Sequence, residues 1–149
     1  NIAGASEIGD KFGSALAVGD INNDGFSDLV VGVPNEDIGN IVNAGLINVI
    51  YGSAGGLTAQ GNIVYWLSSE AGDRYGQALS ARDLNGDGFA DIVIGIPNEN
   101  FSGLSNAGMV SVLYGSPAGL ITHGERMFHQ DTPGIEGKAE NNDNFGGSL

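Results

Sequence analysis

The sequence contains no cysteine, which excludes disulfide bonds and thiolate metal sites. Basic residues are also scarce: 5 Lys and Arg stand against 18 Asp and Glu, for a formal net charge of −13. Binding to nucleic acid requires a basic footprint, so this class of function is disfavoured, as is adsorption to anionic membranes. No apolar run approaches the ~20 residues of a transmembrane helix, so no membrane insertion is expected.

Glycine and apolar residues are plentiful instead. The chain of 149 residues has 26 glycines and 41% hydrophobic residues, with only 15% charged residues. The glycines are spread between apolar runs without a three-residue period, which indicates many tight turns and excludes collagen. This composition predicts one ordinary globular domain rather than a disordered polyelectrolyte.

Two nine-residue stretches, 20–28 and 83–91, share the pattern D-x-N-x-D-G-F-x-D and begin 63 residues apart. Oxygen-bearing side chains at positions 1, 3, 5 and 9, with a turn-forming glycine at position 6, suit Ca²⁺, which prefers about six to eight oxygen ligands. The position 7 carbonyl can supply a further ligand. The predicted metal ligands are Asp20, Asn22, Asp24, Phe26 and Asp28 in the first loop, and Asp83, Asn85, Asp87, Phe89 and Asp91 in the second.

These loops differ from the helix-flanked calcium motif, which requires Glu at position 12. Val31 and Ile94 occupy that position here, within short β-branched runs that are typical of buried strands. The alternative is an Asp/Asn/Gly-rich turn without a metal, because these residues favour turns in any case. Two copies in the same register favour the metal site.

An internal repeat of 63 residues extends well beyond the two loops. Tyr51-Gly-Ser53 recurs as Tyr114-Gly-Ser116, for example, and Phe12-Gly13 recurs as Tyr75-Gly76. Phe145-Gly146 starts a third copy after seven extra residues around 131–138. We therefore divide the chain into 1–74, a first unit with an N-terminal linking segment, and 75–149, a second unit with the start of a third.

Each unit is predicted to contain four short strands and no substantial helix. The expected strands are 12–18, 29–33, 46–51 and 62–67 in the first unit, and 75–81, 92–96, 109–114 and 126–130 in the second. The second and third strands of each unit are apolar on both faces, so each sheet must be covered on both sides. Radially stacked four-stranded sheets achieve this, and an all-β propeller is favoured over stacked sandwiches.

The motif order resembles the FG-GAP repeat of integrin alpha-chain β-propellers and of many bacterial secreted proteins. Each unit has Phe/Tyr-Gly, then the metal loop, then Gly32-Val-Pro34 or Gly95-Ile-Pro97, where the family usually has Gly-Ala-Pro. The resemblance implies Ca²⁺ bound between the first two strands of each blade. The family's ring has seven blades and this chain has two, so further blades of a parent chain or a homo-oligomer are expected to close it.

The expected function is a calcium-stabilised, non-enzymatic scaffold for extracellular or cell-surface adhesion and recognition, with a protein or glycan as ligand. The polar loops 35–37 and 98–101, on the rim away from the metal loops, are the candidate partner contacts; the alternative is that they are solvated connections. A second possibility is an accessory or catalytic propeller of a secreted polysaccharide- or lipid-degrading enzyme. It has little support, because neither His123 nor His129 has a counterpart in the first unit.

Overall fold

A computed structural model describes residues 7–67 and 70–149. It contains two antiparallel sheets of four strands each, and the strands of each sheet are adjacent in chain order. No helix occurs within these ranges, and hence none that is long and apolar enough to cross a bilayer. The strands are β1 (Ala15–Gly19), β2 (Asp28–Val33), β3 (Leu46–Tyr51), β4 (Thr58–Tyr65), β5 (Ala78–Arg82), β6 (Asp91–Ile96), β7 (Met109–Leu113) and β8 (Arg126–Phe128).

The two sheets pack against each other through one apolar cluster, and β5 lies against β1. Ile47 and Val49 of β3 and Ile92 and Ile94 of β6 belong to this cluster and are fully buried. β-branched residues suit such strands because they pack well on a pleated surface covered on both faces. The all-β prediction of two four-stranded sheets is confirmed.

The first strand of each unit starts three residues later than predicted, at Ala15 and Ala78. The Phe/Tyr-Gly dipeptide is not part of it. Arg74 and Gly76 have positive φ angles of 61° and 83°, which interrupts extended backbone on either side of Tyr75. Tyr75 instead forms a parallel bridge with Gly45, which precedes β3 in the other sheet. The dipeptide therefore belongs structurally to the preceding sheet.

Tyr75 closes the end of the first sheet. Its N–H donates to the carbonyl of Ala44 at 2.9 Å, and its side chain is 0% exposed. The start of the third copy behaves in the same way: Phe145 N–H donates to the carbonyl of Ala107 at 3.0 Å. Each unit is thus completed by the first residues of the next one.

A polar cluster lies across the interface between the two sheets. Glu125, just before β8, accepts hydrogen bonds from the hydroxyls of Tyr65 at 2.9 Å, Tyr75 at 3.0 Å and Ser111. Burial raises the pKa of Tyr65 to about 12, and the Glu125 carboxylate adds to the shift by stabilising the protonated phenol. Three donors satisfy the oxygens of this carboxylate, so it links the two sheets without leaving an unpaired acceptor.

The packing predicts a strict requirement for glycine at position 32. An added Cβ there would lie 2.1 Å from the carbonyl oxygen of Gly76, so Gly32→Ala must displace the inserted dipeptide. We expect a loss of about 1–3 kcal/mol of folding free energy, seen as a lower midpoint in urea denaturation. Gly55→Ala is the matched control, because its Cβ would have only Ser53 Oγ nearby, at 3.8 Å. Equal effects of the two substitutions would contradict the close approach.

Candidate metal centre

The two predicted metal loops lie on one rim of the paired sheets, which we call the metal-loop rim (residues 20–28 and 83–91). Each loop connects the first two strands of its sheet, and its ninth residue, Asp28 or Asp91, is the first residue of β2 or β6. Residues Gly25 and Gly88 at position 6 have φ angles of 89° and 92°, as the sharp turn requires. The loops therefore have the turn that their pattern predicted.

Residues at positions 1, 3 and 5 of the first loop turn their oxygens toward the loop's own backbone. Asp20 Oδ1 and Oδ2 accept the N–H groups of Asp24 at 3.1 Å and Gly25 at 2.9 Å. Asn22 Oδ1 accepts Asp24 N–H at 3.1 Å, and Asp24 Oδ1 accepts Phe26 N–H at 2.9 Å. These bonds wrap the backbone around the side-chain oxygens, so four of the five predicted ligands lie on one small turn.

The second loop repeats this geometry. Asp83 accepts the N–H groups of Gly86 at 2.7 Å and Gly88 at 3.0 Å, and Asp87 Oδ1 accepts Phe89 N–H at 3.0 Å. The hydrogen bonds from Gly88 and Gly86 lower the pKa of Asp83, because they favour its charged form. A carboxylate that remains ionised over a wide pH range is suited to bind a cation.

Position 9 has a second role that the pattern did not reveal. Asp28 is 0% exposed, and its two oxygens accept the N–H groups of Ile21 and Gly52, both at 2.8 Å. Asp91 likewise accepts from Leu84 at 2.9 Å and Gly115 at 3.1 Å. Burial raises the pKa of Asp28, and the two N–H groups partly offset this effect. Each position 9 carboxylate therefore ties its loop to the end of the third strand.

The sequence patterns did not identify Gly52 and Gly115 as functional residues. The recurrence of Tyr-Gly-Ser at a spacing of 63 residues marked them only as part of the repeat. At position 115 an added Cβ would lie 2.5 Å from the carbonyl oxygen of Ala90 and 2.7 Å from that of Ile21. Glycine is thus needed there because the two loops and the end of β7 meet at this point.

The first loop also docks on the second unit, against its metal loop and the turn after β7. The carbonyl of Asp20 accepts Ala90 N–H at 2.9 Å, the carbonyl of Ile21 accepts Ser116 N–H at 3.2 Å, and the Ile21 side chain is fully buried. The conformation of this loop is therefore coupled to the contact between the sheets.

The donor set of each loop fits a hard cation. It consists only of oxygens, with carboxylates at three of the five positions, on a tight turn whose residues at positions 1, 3 and 5 are at least partly solvent-accessible. Within the described ranges no three acidic or histidine side chains converge as a preformed cage. The ligand assignment of both loops stays a prediction.

The polar loops predicted as partner contacts lie at the other ends of the strands. We call this end the linker rim (residues 34–45, 70–76 and 97–108). Asn35 Nδ2 donates to the carbonyl of Gly9 at 3.0 Å, Asn98 Nδ2 to that of Gly72 at 2.9 Å, and Asp37 Oδ1 accepts Asn43 N–H at 2.7 Å. These hydrogen bonds stabilise the conformation of the linker rim. The role of these side chains in partner contacts stays a prediction.

Neither histidine takes part in a nucleophile–base pair in the described part of the chain. His129 stacks on Phe101 with ring centroids 3.7 Å apart, and His123 is exposed. The prediction that the chain is not an enzyme is not decided by this geometry.

Two antiparallel four-stranded sheets in tandem, each with a loop of this kind before its second strand, define the chain as a pair of β-propeller blades. The FG-GAP repeat matches residues 12–63 and 75–113. The chain therefore belongs to the FG-GAP repeat family, which confirms the resemblance noted in the sequence.

Similarity to individual proteins covers most of the chain. It is 34% identical to integrin alpha-3 of Mus musculus over 151 residues, which is 97% of this chain and 13% of that protein. It is 32% identical to integrin alpha-PS2 of Drosophila melanogaster over 132 residues, or 81% of this chain and 9% of that protein. Phosphatidylinositol-glycan-specific phospholipase D of Bos taurus is 32% identical over 121 residues, or 75% of this chain and 14% of that protein. The chain thus spans only a small part of these relatives.

Because the position 9 carboxylate ties its loop to the end of the third strand, we expect this stabilising role to be separable from metal binding. Asp28→Asn leaves one acceptor oxygen for two N–H groups, so we expect a loss of about 1–3 kcal/mol of folding free energy even in chelator. Asp24→Asn is the matched control, since this exposed residue should change metal-free stability by less than about 0.5 kcal/mol. Urea unfolding in chelator gives both values. The same loss for both variants would refute the separate role of Asp28.

Proposed function

We propose that this chain is a calcium-stabilised β-propeller module that acts as an extracellular adhesion or recognition scaffold. The observation that carries the proposal is the docking of the first metal loop on the second unit through the carbonyls of Asp20 and Ile21. An ion that orders this loop would also hold the two blades together. Calcium then has a structural role, which is to hold the two blades together, rather than a signalling role.

The extracellular setting follows from the chemistry of the loops. Sites of this kind with modest affinity are filled where Ca²⁺ is millimolar, as it is outside cells. The absence of cysteine gives no disulfides to stabilise the chain there. The bound ion would supply stability instead, because its binding free energy adds to that of folding when the unfolded chain lacks the site.

This proposal predicts two Ca²⁺ per chain, measured by isothermal titration calorimetry. A concentration about 100-fold above the dissociation constant should add about 2.7 kcal/mol per site, and each filled site should raise Tm by roughly 5–10 °C in a domain of this size. Asp24→Asn and Asp87→Asn should each remove most of the binding at one site. Glu136→Gln, an exposed carboxylate outside the loops, is the control. A melting curve that Ca²⁺ and EDTA leave unchanged would refute the structural role.

We also propose that another blade covers the free face of the first sheet. Phe12 is 55% exposed and Leu16 59%, whereas their equivalents in the second unit, Tyr75 and Leu79, are 0% and 9% exposed against the first sheet. Val18 is exposed as well. The covering blade would come from the same parent chain or from a second copy of this chain. The equivalent face of the second sheet is covered by the first sheet, so a face of this kind can pack against another blade.

If a second copy covers this face, light scattering should detect an oligomer of the isolated chain. Leu16→Glu should shift it toward monomer, because the new charge would be buried in the interface. Leu57→Glu is the control, since Leu57 is exposed to a similar degree in the turn between β3 and β4. A stable monomer that binds no apolar dye would contradict the proposal that this face needs a cover.

The integrin relatives favour a recognition role for the whole protein, with a protein or glycan ligand at the linker rim. The similarity to phosphatidylinositol-glycan-specific phospholipase D supports the alternative, an accessory or catalytic propeller of a lipid-degrading enzyme. Assays of the chain for hydrolysis of a glycosylated phosphatidylinositol and for binding to a glycan array separate the two. Turnover abolished by removal of a specific side chain would establish the enzymatic alternative.

A further inference from the structure

A buried carboxylate on the linker rim has an oxygen without a hydrogen-bond donor. Asp73 is 1% exposed; its Oδ2 accepts Glu70 N–H at 2.5 Å, but no group in the described part of the chain donates to its Oδ1. A buried acceptor without a donor costs about 1–3 kcal/mol. This atom therefore needs an explanation.

A second acid lies beside Asp73. The side chain of Glu99, in the loop between β6 and β7, lies within hydrogen-bond reach of Asp73. Two ionised carboxylates are acceptors only, so they cannot bond to each other, whereas a protonated carboxyl has an O–H to donate. One proton on Glu99 would satisfy Asp73 Oδ1.

The charges around the pair favour that proton. Those that act on Glu99 are Asp73 and Glu70, both negative, and Glu70 Oε2 is held in place by Asn100 Nδ2 at 2.8 Å. Burial, with repulsion from these two carboxylates, raises the pKa of Glu99 to about 7. Burial likewise raises the pKa of Asp73.

The pair joins two segments that hold the blades together. Asp73 lies in the linker that inserts Tyr75 into the first sheet, and Glu99 lies in a rim loop of the second. Asn98 Nδ2 fastens the same segments by donating to the carbonyl of Gly72. We propose that Asp73 and Glu99 share one proton, which makes this joint a pH-sensitive latch between the inter-blade linker and the rim loop.

The first unit contains a similar group of acidic residues in register. Glu36 is buried, and burial followed by repulsion from Asp10, Glu7 and Asp37 raises its pKa. Asp10 Oδ2 accepts Glu7 N–H, as Asp73 does from Glu70. The clustering of these acids and the backbone hydrogen bond to the aspartate thus recur with the repeat, 63 residues apart.

The latch closes with uptake of a proton. In the open state Glu99 has an ordinary carboxyl pKa near 4.5, and in the closed state the pKa is about 7. Protonation of Glu99 therefore stabilises the closed state fully below the ordinary pKa of 4.5, and this stabilisation is lost as the pH rises through about 7. Between about pH 6 and about pH 8 the closing equilibrium should fall about tenfold.

Hydrogen exchange tests this directly. At constant saturating Ca²⁺ and after correction for intrinsic exchange, protection of the amides in 70–76, including Tyr75 N–H, should fall about tenfold between about pH 6 and about pH 8. In Glu99→Gln the amide NH₂ donates to Asp73 Oδ1 at every pH, so protection should change by less than about twofold. Glu136→Gln, with an exposed side chain far along the sequence, should behave as the unmodified chain does.

Two outcomes overturn the proposal. One is an unmodified chain whose protection is as insensitive to pH as that of Glu99→Gln. The other is recovery of protection on raising Ca²⁺ at the higher pH in the unmodified chain but not in Glu99→Gln, which would mean that a cation occupies the pair. If Glu99→Gln does not fold, carbon NMR of the unmodified chain decides: a glutamate titrating near 7 supports the latch, and all glutamates titrating below about 5.5 overturn it.

Discussion

The insertion of Tyr75-Gly76 into the preceding sheet is the contact on which the rest of the structure depends. Tyr75 is buried in the cluster shared by both sheets, its N–H is bonded to the carbonyl of Ala44, and its hydroxyl donates to Glu125 of the second unit. A residue of the second unit thus completes the core of the first. Because each repeat buries its apolar faces only against its neighbours, stability here is a property of the junction rather than of one sheet. The repetition of the contact at Phe145 extends the same rule past the second blade.

The metal-loop rim is coupled to this junction by side chains and backbone groups of the loops themselves. The carboxylates of Asp28 and Asp91 fix the two loops to the ends of the third strands, and the carbonyls of Asp20 and Ile21 join the first loop to the second unit. In our proposal an ion bound by the outer positions of the loop would restrict the same residues that make this contact. At the linker rim the proposed proton between Asp73 and Glu99 would fasten the other end of the junction. The two rims would then respond to different solutes, Ca²⁺ and H⁺, while they act on one interface.

The sequence predicted much of the fold, because its repeat, its glycines and its β-branched runs all bear on local structure. It predicted four strands per unit and the turn of each metal loop. It could not assign Tyr75 to the preceding sheet, since a repeat register says which segments are equivalent but not which strand each one pairs with. Nor could the pattern show that two of its aspartates lie in different environments: Asp24 is exposed, whereas Asp28 is buried and accepts two N–H groups. Asp73 and Glu99 are 26 residues apart, and only the folded chain brings them together.

The central claim is that each loop holds a calcium ion that secures the blades to one another. Anomalous X-ray scattering from crystals of the chain grown in millimolar Ca²⁺ tests it most directly. We predict one anomalous peak in each loop, about 2.3–2.6 Å from oxygens of Asp20 and Asp24 in the first and of Asp83 and Asp87 in the second. Well-ordered loops without a peak at that Ca²⁺ concentration would contradict the claim.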